Sequence, residues 1–129
     1  MIVKIFFVAF FLNLLYELLH SVLYTTCLEA PLKKYIRLML KAAIFDGLAI
    51  TIIYLVAFFI FPKYYQLSAF LIISLIFALA WEIYSLKKGK WEYAQDMPII
   101  LGVGITPLLQ LALTGLTAIY IVTTFLVKY

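Results

Sequence analysis

Residues 81–110 read WEIYSLKKGKWEYAQDMPIILGVGITPLLQ and decide the fold of this chain. Only in this segment do polar, aromatic and proline residues interrupt the apolar sequence in an ordered way. Glu82 lies just inside the end of one hydrophobic segment, the loop from Lys87 to Asp96 carries three lysines, and a second hydrophobic segment begins near Pro98. The stretch therefore predicts two apolar helices joined by a short hydrated loop.

The composition of the whole chain is that of an integral membrane protein. Of its 129 residues 67% are hydrophobic and 12% charged, and the mean hydropathy is +1.15. A hydrocarbon core of about 30 Å requires about 20 apolar residues per helix. Four such stretches predict an all-α four-helix bundle in one domain, with helices at about 2–24, 31–61, 67–86 and 98–127. The first is long and has no small-residue cleavage site after it, so we expect a mature helix rather than a signal peptide.

The distribution of positive charge predicts the orientation of the chain. The formal charge is +4, and most of the basic residues fall on two loops that share one side of a four-span protein: Lys33, Lys34, Arg37, Lys41, Lys87, Lys88 and Lys90. The positive-inside rule places these loops in the cytoplasm and both termini outside, in the cytoplasmic membrane. Anionic lipid headgroups are the expected partners of the lysines, and no nucleic-acid motif is found.

Small and proline residues predict details of the last two helices. Ser74, Ala78, Glu82 and Ser85 follow one another at helical spacing, and such stripes let membrane helices approach closely. The Ser74-Ala78 part of this stripe is the candidate contact of a homodimer. In the last helix we expect Asp96 to cap a first turn containing Pro98. We also expect Pro107 to lie inside the span and to remove one backbone hydrogen bond there.

Ionisable side chains occur at similar depth on three predicted helices. Counting about 1.5 Å per residue from the expected boundary, Glu17 lies about 10 Å deep, and Asp46 and Glu82 lie about 8 Å deep. An intramembrane acid costs at least about 2.5–3.5 kcal/mol, so we expect these groups to converge inside the bundle. Desolvation and mutual repulsion then favour a protonated acid beside an ionised one, which is an arrangement suited to acid/base chemistry. The predicted catalytic residues are Glu17, His20, Asp46 and Glu82, and the predicted substrate-binding residues are Asn13, Trp81, Thr106 and Gln110.

Two other interpretations of the polar groups stay open. The acids and His20 could simply hydrogen-bond to one another and fix the register of the helices. Glu17 and His20 also form a Glu-x-x-His pair, which carboxylate di-iron bundles use, but the chain has no second histidine. We therefore predict no resident metal and no cofactor.

The segment 81–110 resembles the small membrane lycopene cyclase domains of carotenoid biosynthesis. The resemblance rests on Trp81-Glu82, on Gly89, Trp91 and Tyr93, and on Gly102 or Gly104 followed by Pro107-Leu108. More distantly, the four-helix plan with buried acids is similar to the emopamil-binding-like sterol isomerases.

This resemblance implies a compact four-helix bundle with an intramembrane pocket for an isoprenoid or sterol-like lipid. In those cyclase domains an acid follows a tryptophan at a helix end, and Glu82 matches it. Pro107 matches the proline of their Pro-Leu-Glu-Glu motif. The paired glutamates of that motif fall on Leu109 and Gln110, so another acid would have to supply a proton.

These observations together predict a polar pocket that faces the cytoplasm and binds an isoprenoid or sterol-like lipid. Proton transfer would isomerise or cyclise that lipid, with Glu17 and Glu82 as acid and base. His20 and Asp46 would tune them, and Asn13 and Gln110 would orient the substrate. One alternative is a non-enzymatic lipid-binding or accessory membrane subunit whose buried acids are structural. Another is a small proton or metal-ion carrier that uses the same acids as a relay.

Overall fold

A computed structural model describes residues 1–127 of the chain, and these are mainly helical. The helices are α1 (Ile2–His20), α2 (Thr25–Leu28), α3 (Leu32–Ile60), α4 (Gln66–Lys87) and α5 (Ile105–Ile121). Short 3-10 turns follow α1 at Ser21–Leu23 and precede α4 at Lys63–Tyr65, and a π turn at Val122–Leu126 follows α5. Two strands of two residues, β1 (Ile99–Ile100) and β2 (Val103–Gly104), lie between α4 and α5.

Four of the helical segments are long and apolar enough to cross a membrane, as the sequence predicts. They are Ile2–Leu23, Leu32–Ile60, Lys63–Lys87 and Ile105–Leu126. Helix α3 has 29 residues and is about 43 Å long at 1.5 Å per residue, so it exceeds the hydrocarbon thickness of about 30 Å. Its first turns carry the basic residues Lys33, Lys34, Arg37 and Lys41. Pro31 forms its N-cap, and the helix ends just before Pro62.

The four long helices pack as a bundle in which α1 and α4 occupy opposite corners. Helix α1 packs against α3 and α5, and α4 packs against the same two helices. The apolar core includes Ile5, Ile50, Phe70 and Val122, all of them fully buried. Gly115 allows the ring of Phe70 to lie directly against α5, because a Cβ atom at this position would collide with that ring.

The small-residue stripe of α4 faces the interior of the bundle. Ser74 and Ser85 are fully buried, and Ala78 and Glu82 are 6% and 3% exposed. The predicted close helix packing along this stripe is therefore confirmed within one chain. The prediction that Ser74 and Ala78 form a contact between two copies is wrong, because neither side chain is on the surface.

The start of the last membrane helix differs from the prediction. The structure has a β-hairpin at Ile99–Gly104, and α5 begins only at Ile105 with Gly104 as its N-cap, so the predictions that Asp96 caps the helix and that Pro98 lies in its first turn are wrong. Pro98 lies outside the helix, and its backbone oxygen accepts the Ile105 N–H at 2.8 Å. Leu101 and Gly102 have φ angles of +54° and +79°, as the two central residues of a type I′ turn require. The hairpin is the reason that the helix cannot begin at residue 98.

Pro107 accordingly does not interrupt a helix. It is the third residue of α5, where a backbone N–H has no partner within the helix in any case. The predicted loss of a hydrogen bond in the middle of a span is therefore wrong. Pro107 instead starts the helix with its φ angle already fixed.

The two ends of the bundle differ in charge. At one end, Lys4 Nζ donates a hydrogen bond of 2.6 Å to the backbone oxygen of Leu126, so the first and last spans begin and end on the same side. The other end carries the α1–α3 connection and the α4–α5 connection, with the clustered lysines. The candidate site lies at this second end.

Candidate functional site

A cavity of about 460 Å³ lies at the lysine-rich end, between the four long helices. Its walls are mainly apolar and come from Leu38, Met39, Ala42, Phe45, Ala78, Trp81, Trp91, Pro107 and Leu111. Its polar lining includes the three acids that the sequence singles out, Glu17, Asp46 and Glu82, together with Gln110. The predicted convergence of the buried acids from three helices is confirmed.

Gln110 connects three helices at the floor of the cavity. Its amide nitrogen lies 2.9 Å from Glu17 Oε1, 2.9 Å from Asp46 Oδ2 and 3.0 Å from Asn13 Oδ1. An amide nitrogen carries two hydrogens, so it can donate to only two of these oxygens at a time. The Thr114 hydroxyl can donate to Asn13 Oδ1 at 3.1 Å, so each oxygen can receive one hydrogen, while the two carboxylates keep further acceptor sites.

The Glu17 and Asp46 carboxyl groups are also within hydrogen-bonding reach of each other. A hydrogen bond between two carboxyl groups needs a proton on one of them, since an ionised carboxylate only accepts. The two acids thus form a pair that can hold one proton on the cavity wall.

His20 is attached to this pair from behind. Its Nε2 lies 3.0 Å from Glu17 Oε2, and its Nδ1 lies 3.1 Å from the hydroxyl of Thr106. The Thr106 backbone oxygen accepts a bond of 2.6 Å from the Tyr16 hydroxyl, which fixes the start of α5 against α1. His20 is 6% exposed and, like Thr106, is not part of the cavity wall. The bond from His20 therefore fixes the orientation of the Glu17 carboxyl group.

Glu82 is held separately from this cluster. Its Oε1 accepts hydrogen bonds from Trp91 Nε1 at 2.9 Å and from the Tyr93 hydroxyl at 2.5 Å. The Tyr93 oxygen in turn accepts the backbone N–H of Gly104 at 2.9 Å. We call this arrangement of Glu82, Trp91 and Tyr93 the loop clamp. It links the end of α4, the loop after it and the first residue before α5.

The local sequence explains how the loop returns to Glu82. Helix α4 ends at Lys87, and Gly89 has a φ angle of +68°, which a glycine adopts without strain. The chain then reverses and runs back over the helix end. Trp91 and Tyr93 are two residues apart, so in extended backbone both side chains point to the same face, where Glu82 lies.

The loop that carries Trp91 and Tyr93 is also bonded to the connection between α1 and α2. Tyr24 and Tyr93 form an antiparallel bridge, and Thr25 N donates to the backbone oxygen of Glu92 at 3.0 Å. Burial strongly raises the pKa of Tyr24, and the nearby Glu82 charge adds to that effect. Burial likewise raises the pKa of Tyr93, with a further contribution from its bond to Glu82. Tyr93 therefore stays protonated and remains a donor to Glu82.

The mouth of the cavity combines aromatic rings and lysines. Trp81 stacks on Phe45 with ring centres 4.6 Å apart, and both rings are part of the wall. Lys90 Nζ lies 4.4 Å from the centre of the Trp81 ring. Lys41 lines the cavity on the α3 side, and both lysines are exposed.

The predicted site residues thus occupy different layers. Trp81 and Gln110 lie on the cavity wall with the acids, whereas Asn13 and Thr106 support Gln110 and His20 from behind. Trp91 and Tyr93 of the loop clamp are not among the predicted site residues, and their local signal is a Trp-x-Tyr pair shortly after an acid at a helix end. Within residues 1–127 no group of three or more histidine, cysteine or acidic side chains is arranged to hold a metal ion.

No family model, no curated protein and no solved structure matches this chain.

Proposed function

We propose that this protein binds an isoprenoid or sterol-like lipid in the cavity between its four membrane helices. The observation that carries the proposal is a cavity of about 460 Å³ with largely apolar walls and three acids on its surface. Ligand sites for small molecules are typically about 300–1,000 Å³, mainly apolar, with a few placed polar groups. The resemblance of residues 81–110 to lycopene cyclase domains supports the same class of ligand.

The charge pattern supports an orientation for the site. Lys41 and Lys90 line the cavity, the other clustered lysines lie at the same end of the bundle, and positive residues favour the cytoplasmic side. The cavity then faces the cytoplasm, both termini lie outside, and the lysines contact anionic headgroups of the cytoplasmic membrane.

Retention of a lipid through purification tests the binding proposal. Ala42 lines the cavity, so Ala42→Phe fills part of it from α3. Ile44→Phe places the same ring on the same helix at a side chain that is 46% exposed. We expect mass spectrometry of extracts from mild detergent to find a specific apolar lipid with the wild type and Ile44→Phe, and its loss with Ala42→Phe. Bulk phospholipid alone in all three samples contradicts the proposal. The result would favour the alternative function, an accessory membrane subunit whose buried acids are structural.

The Glu17–Asp46 pair favours a second function for the same cavity, namely isomerisation of the bound lipid. A carboxyl of the pair adds its proton to one carbon of a double bond, and a carbocation forms on the other carbon. The ionised partner then removes a proton from an adjacent carbon, which moves the double bond and leaves one proton on the pair, now on the other acid. His20 holds Glu17 in place, and Glu82 has the structural role of anchoring the loop.

Isosteric amides separate binding from chemistry. Glu17→Gln and Asp46→Asn keep the size of the side chains but cannot donate an acidic proton or accept one as a base. We expect both variants to retain the lipid found with the wild type, while only the wild type converts it. Equal conversion by wild type and variants would rule out this mechanism.

A further inference from the structure

The polarity of the cavity changes along its length. Its mouth carries the ammonium groups of Lys41 and Lys90, which come from α3 and from the loop after α4. Its floor carries the oxygens of Glu17 and Asp46, which belong to α1 and α3. Lys41 and Asp46 are five residues apart on one helix, which is about 7.5 Å along its axis. The positive mouth and the oxygen-rich floor are therefore separated by apolar wall.

The ammonium groups of the two lysines at the mouth are available to bind an anion. Within residues 1–127, neither Lys41 nor Lys90 lies within ion-pair distance of an acid. Lys90 contacts the rings of Trp81 and Tyr84, with its ammonium 4.4 Å and 5.0 Å from their centres. These ring contacts hold it at the rim and leave its N–H groups available, because aromatic faces attract the charge as a whole.

The floor has the opposite requirement. Gln110 supplies two hydrogens to three oxygens, and the Thr114 hydroxyl supplies one hydrogen to Asn13 Oδ1 at 3.1 Å or the Gln110 backbone at 2.7 Å. Each of the three oxygens can therefore receive one hydrogen, but the carboxylates of Glu17 and Asp46 border the cavity and keep further acceptor sites. A ligand group that donates a hydrogen bond at the floor fills one of these sites. An anionic group at the floor would instead be repelled by the acids.

We infer that the lipid of this cavity carries a hydrogen-bond-donating group at its inner end and an anionic group at its outer end. An apolar body connects the two along the walls formed by Phe45, Trp81 and Leu111. The inference rests on the proposed function, and it specifies the polarity of the ligand and the direction in which it lies. Lys41 and Lys90 bind the anionic end, and the Glu17–Asp46 pair accepts from the inner end.

Cys27 provides the measurement, because it lines the cavity and is the only cysteine of the chain. Protein in neutral detergent is treated with a maleimide in the presence of ω-hydroxy fatty acids of graded chain length. Fatty acids of the same length lack the inner donor, and diols of the same length lack the anion. The concentration that halves the labelling rate of Cys27 is compared among the three series.

We expect the ω-hydroxy acid of best length to protect Cys27 at about fivefold lower concentration than either single-ended analogue, since one net hydrogen bond contributes about 1 kcal/mol. The double variant K41Q/K90Q loses the preference for the acid over the diol. Lys33→Gln and Lys34→Gln remove exposed charges of α3 that lie outside the cavity. These control variants keep the preference for the acid over the diol. Acetate and inorganic phosphate do not protect, because they lack the apolar body.

Three results overturn the inference, and they differ in what they leave standing. Equal protection by all three series, abolished by Ala42→Phe, means that the cavity binds lipid without the proposed polarity. Equal loss of the acid preference in the cavity and control lysine variants means that the lysines act on the bilayer or micelle surface. Failure of every compound to protect Cys27 overturns the inference, and the proposed function falls with it when the extracts also contain bulk phospholipid alone.

Discussion

Replacing Glu82 by leucine should open the loop over the cavity without removing a helix. The change leaves Trp91 Nε1 and the Tyr93 hydroxyl without their shared acceptor, which they now reach at 2.9 Å and 2.5 Å. A buried donor without a partner costs about 1–3 kcal/mol, so two of them lower the free energy of loop opening by about 2–6 kcal/mol. The lower limit of about 2 kcal/mol corresponds to a roughly 30-fold larger population of the open loop.

Trypsin measures this population, because Lys87, Lys88 and Lys90 are exposed in the loop. When opening is fast relative to cleavage, the cleavage rate follows the population of the open form. We expect cleavage after these lysines to be at least about 30-fold faster in Glu82→Leu than in the wild type, while other sites are cleaved at unchanged rates. Glu82→Gln keeps a side-chain oxygen acceptor and should give an intermediate rate.

Two controls decide whether the loop clamp is the cause. Glu92→Gln removes a negative charge from the same loop at an exposed side chain and should leave the rate unchanged. Trp91→Phe should accelerate cleavage in the wild type but add little to Glu82→Leu, because their shared hydrogen bond is lost only once. Wild-type cleavage rates in Glu82→Leu, or full additivity with Trp91→Phe, would refute the role of Glu82 as the anchor of the loop.

Three further predictions follow from individual contacts. Gln110→Leu removes the amide donor shared by three oxygens and should lower the free energy of unfolding by about 2–4 kcal/mol in detergent denaturation, whereas Thr117→Val on the exposed face of α5 should change it little. Pro107→Ala should change it by less than about 1 kcal/mol, because a first-turn proline replaces no helix hydrogen bond, whereas a proline in mid-helix costs about 3 kcal/mol. Burial and the charge of Glu17 raise the pKa of Cys27 above its ordinary value of 9.0, so its maleimide labelling rate should keep rising with pH beyond 9; a plateau below pH 9 contradicts this.

The positions of the buried polar faces could be predicted because helical periodicity determines them. Asn13, Glu17 and His20 lie on one face of α1 at spacings of four and three residues, and the structure places all three toward the bundle interior. The same reasoning placed Glu82 inside the bundle. In an apolar environment the cost of exposing an acid to lipid leaves few arrangements, so sequence spacing alone carries much of the information.

The connection between α4 and α5 could not be predicted in the same way. Residues 98–104 are apolar and contain Gly102 and Gly104, which suit either a closely packed helix or a tight turn. The hairpin is favoured by the pairing of Ile100 with Val103 and by the Tyr93 hydroxyl, which binds the N–H of Gly104. Both contacts form only when the chain folds back on itself, and no local pattern of apolar residues predicts them.

The two groups of acids differ in what their contacts accomplish. The Glu82 carboxyl accepts hydrogen bonds from Trp91 and Tyr93 of one loop. These bonds anchor the loop and explain why an acid is buried at this position. Glu17 and Asp46 share one amide nitrogen that cannot satisfy all its neighbours, and both border a cavity that is large enough for a ligand. Adhesion between helices would be served at lower cost by neutral amides, since an intramembrane acid costs about 2.5–3.5 kcal/mol. The proposed ligand accounts for acids at this position, because a donating group on it fills acceptor sites that Gln110 leaves open.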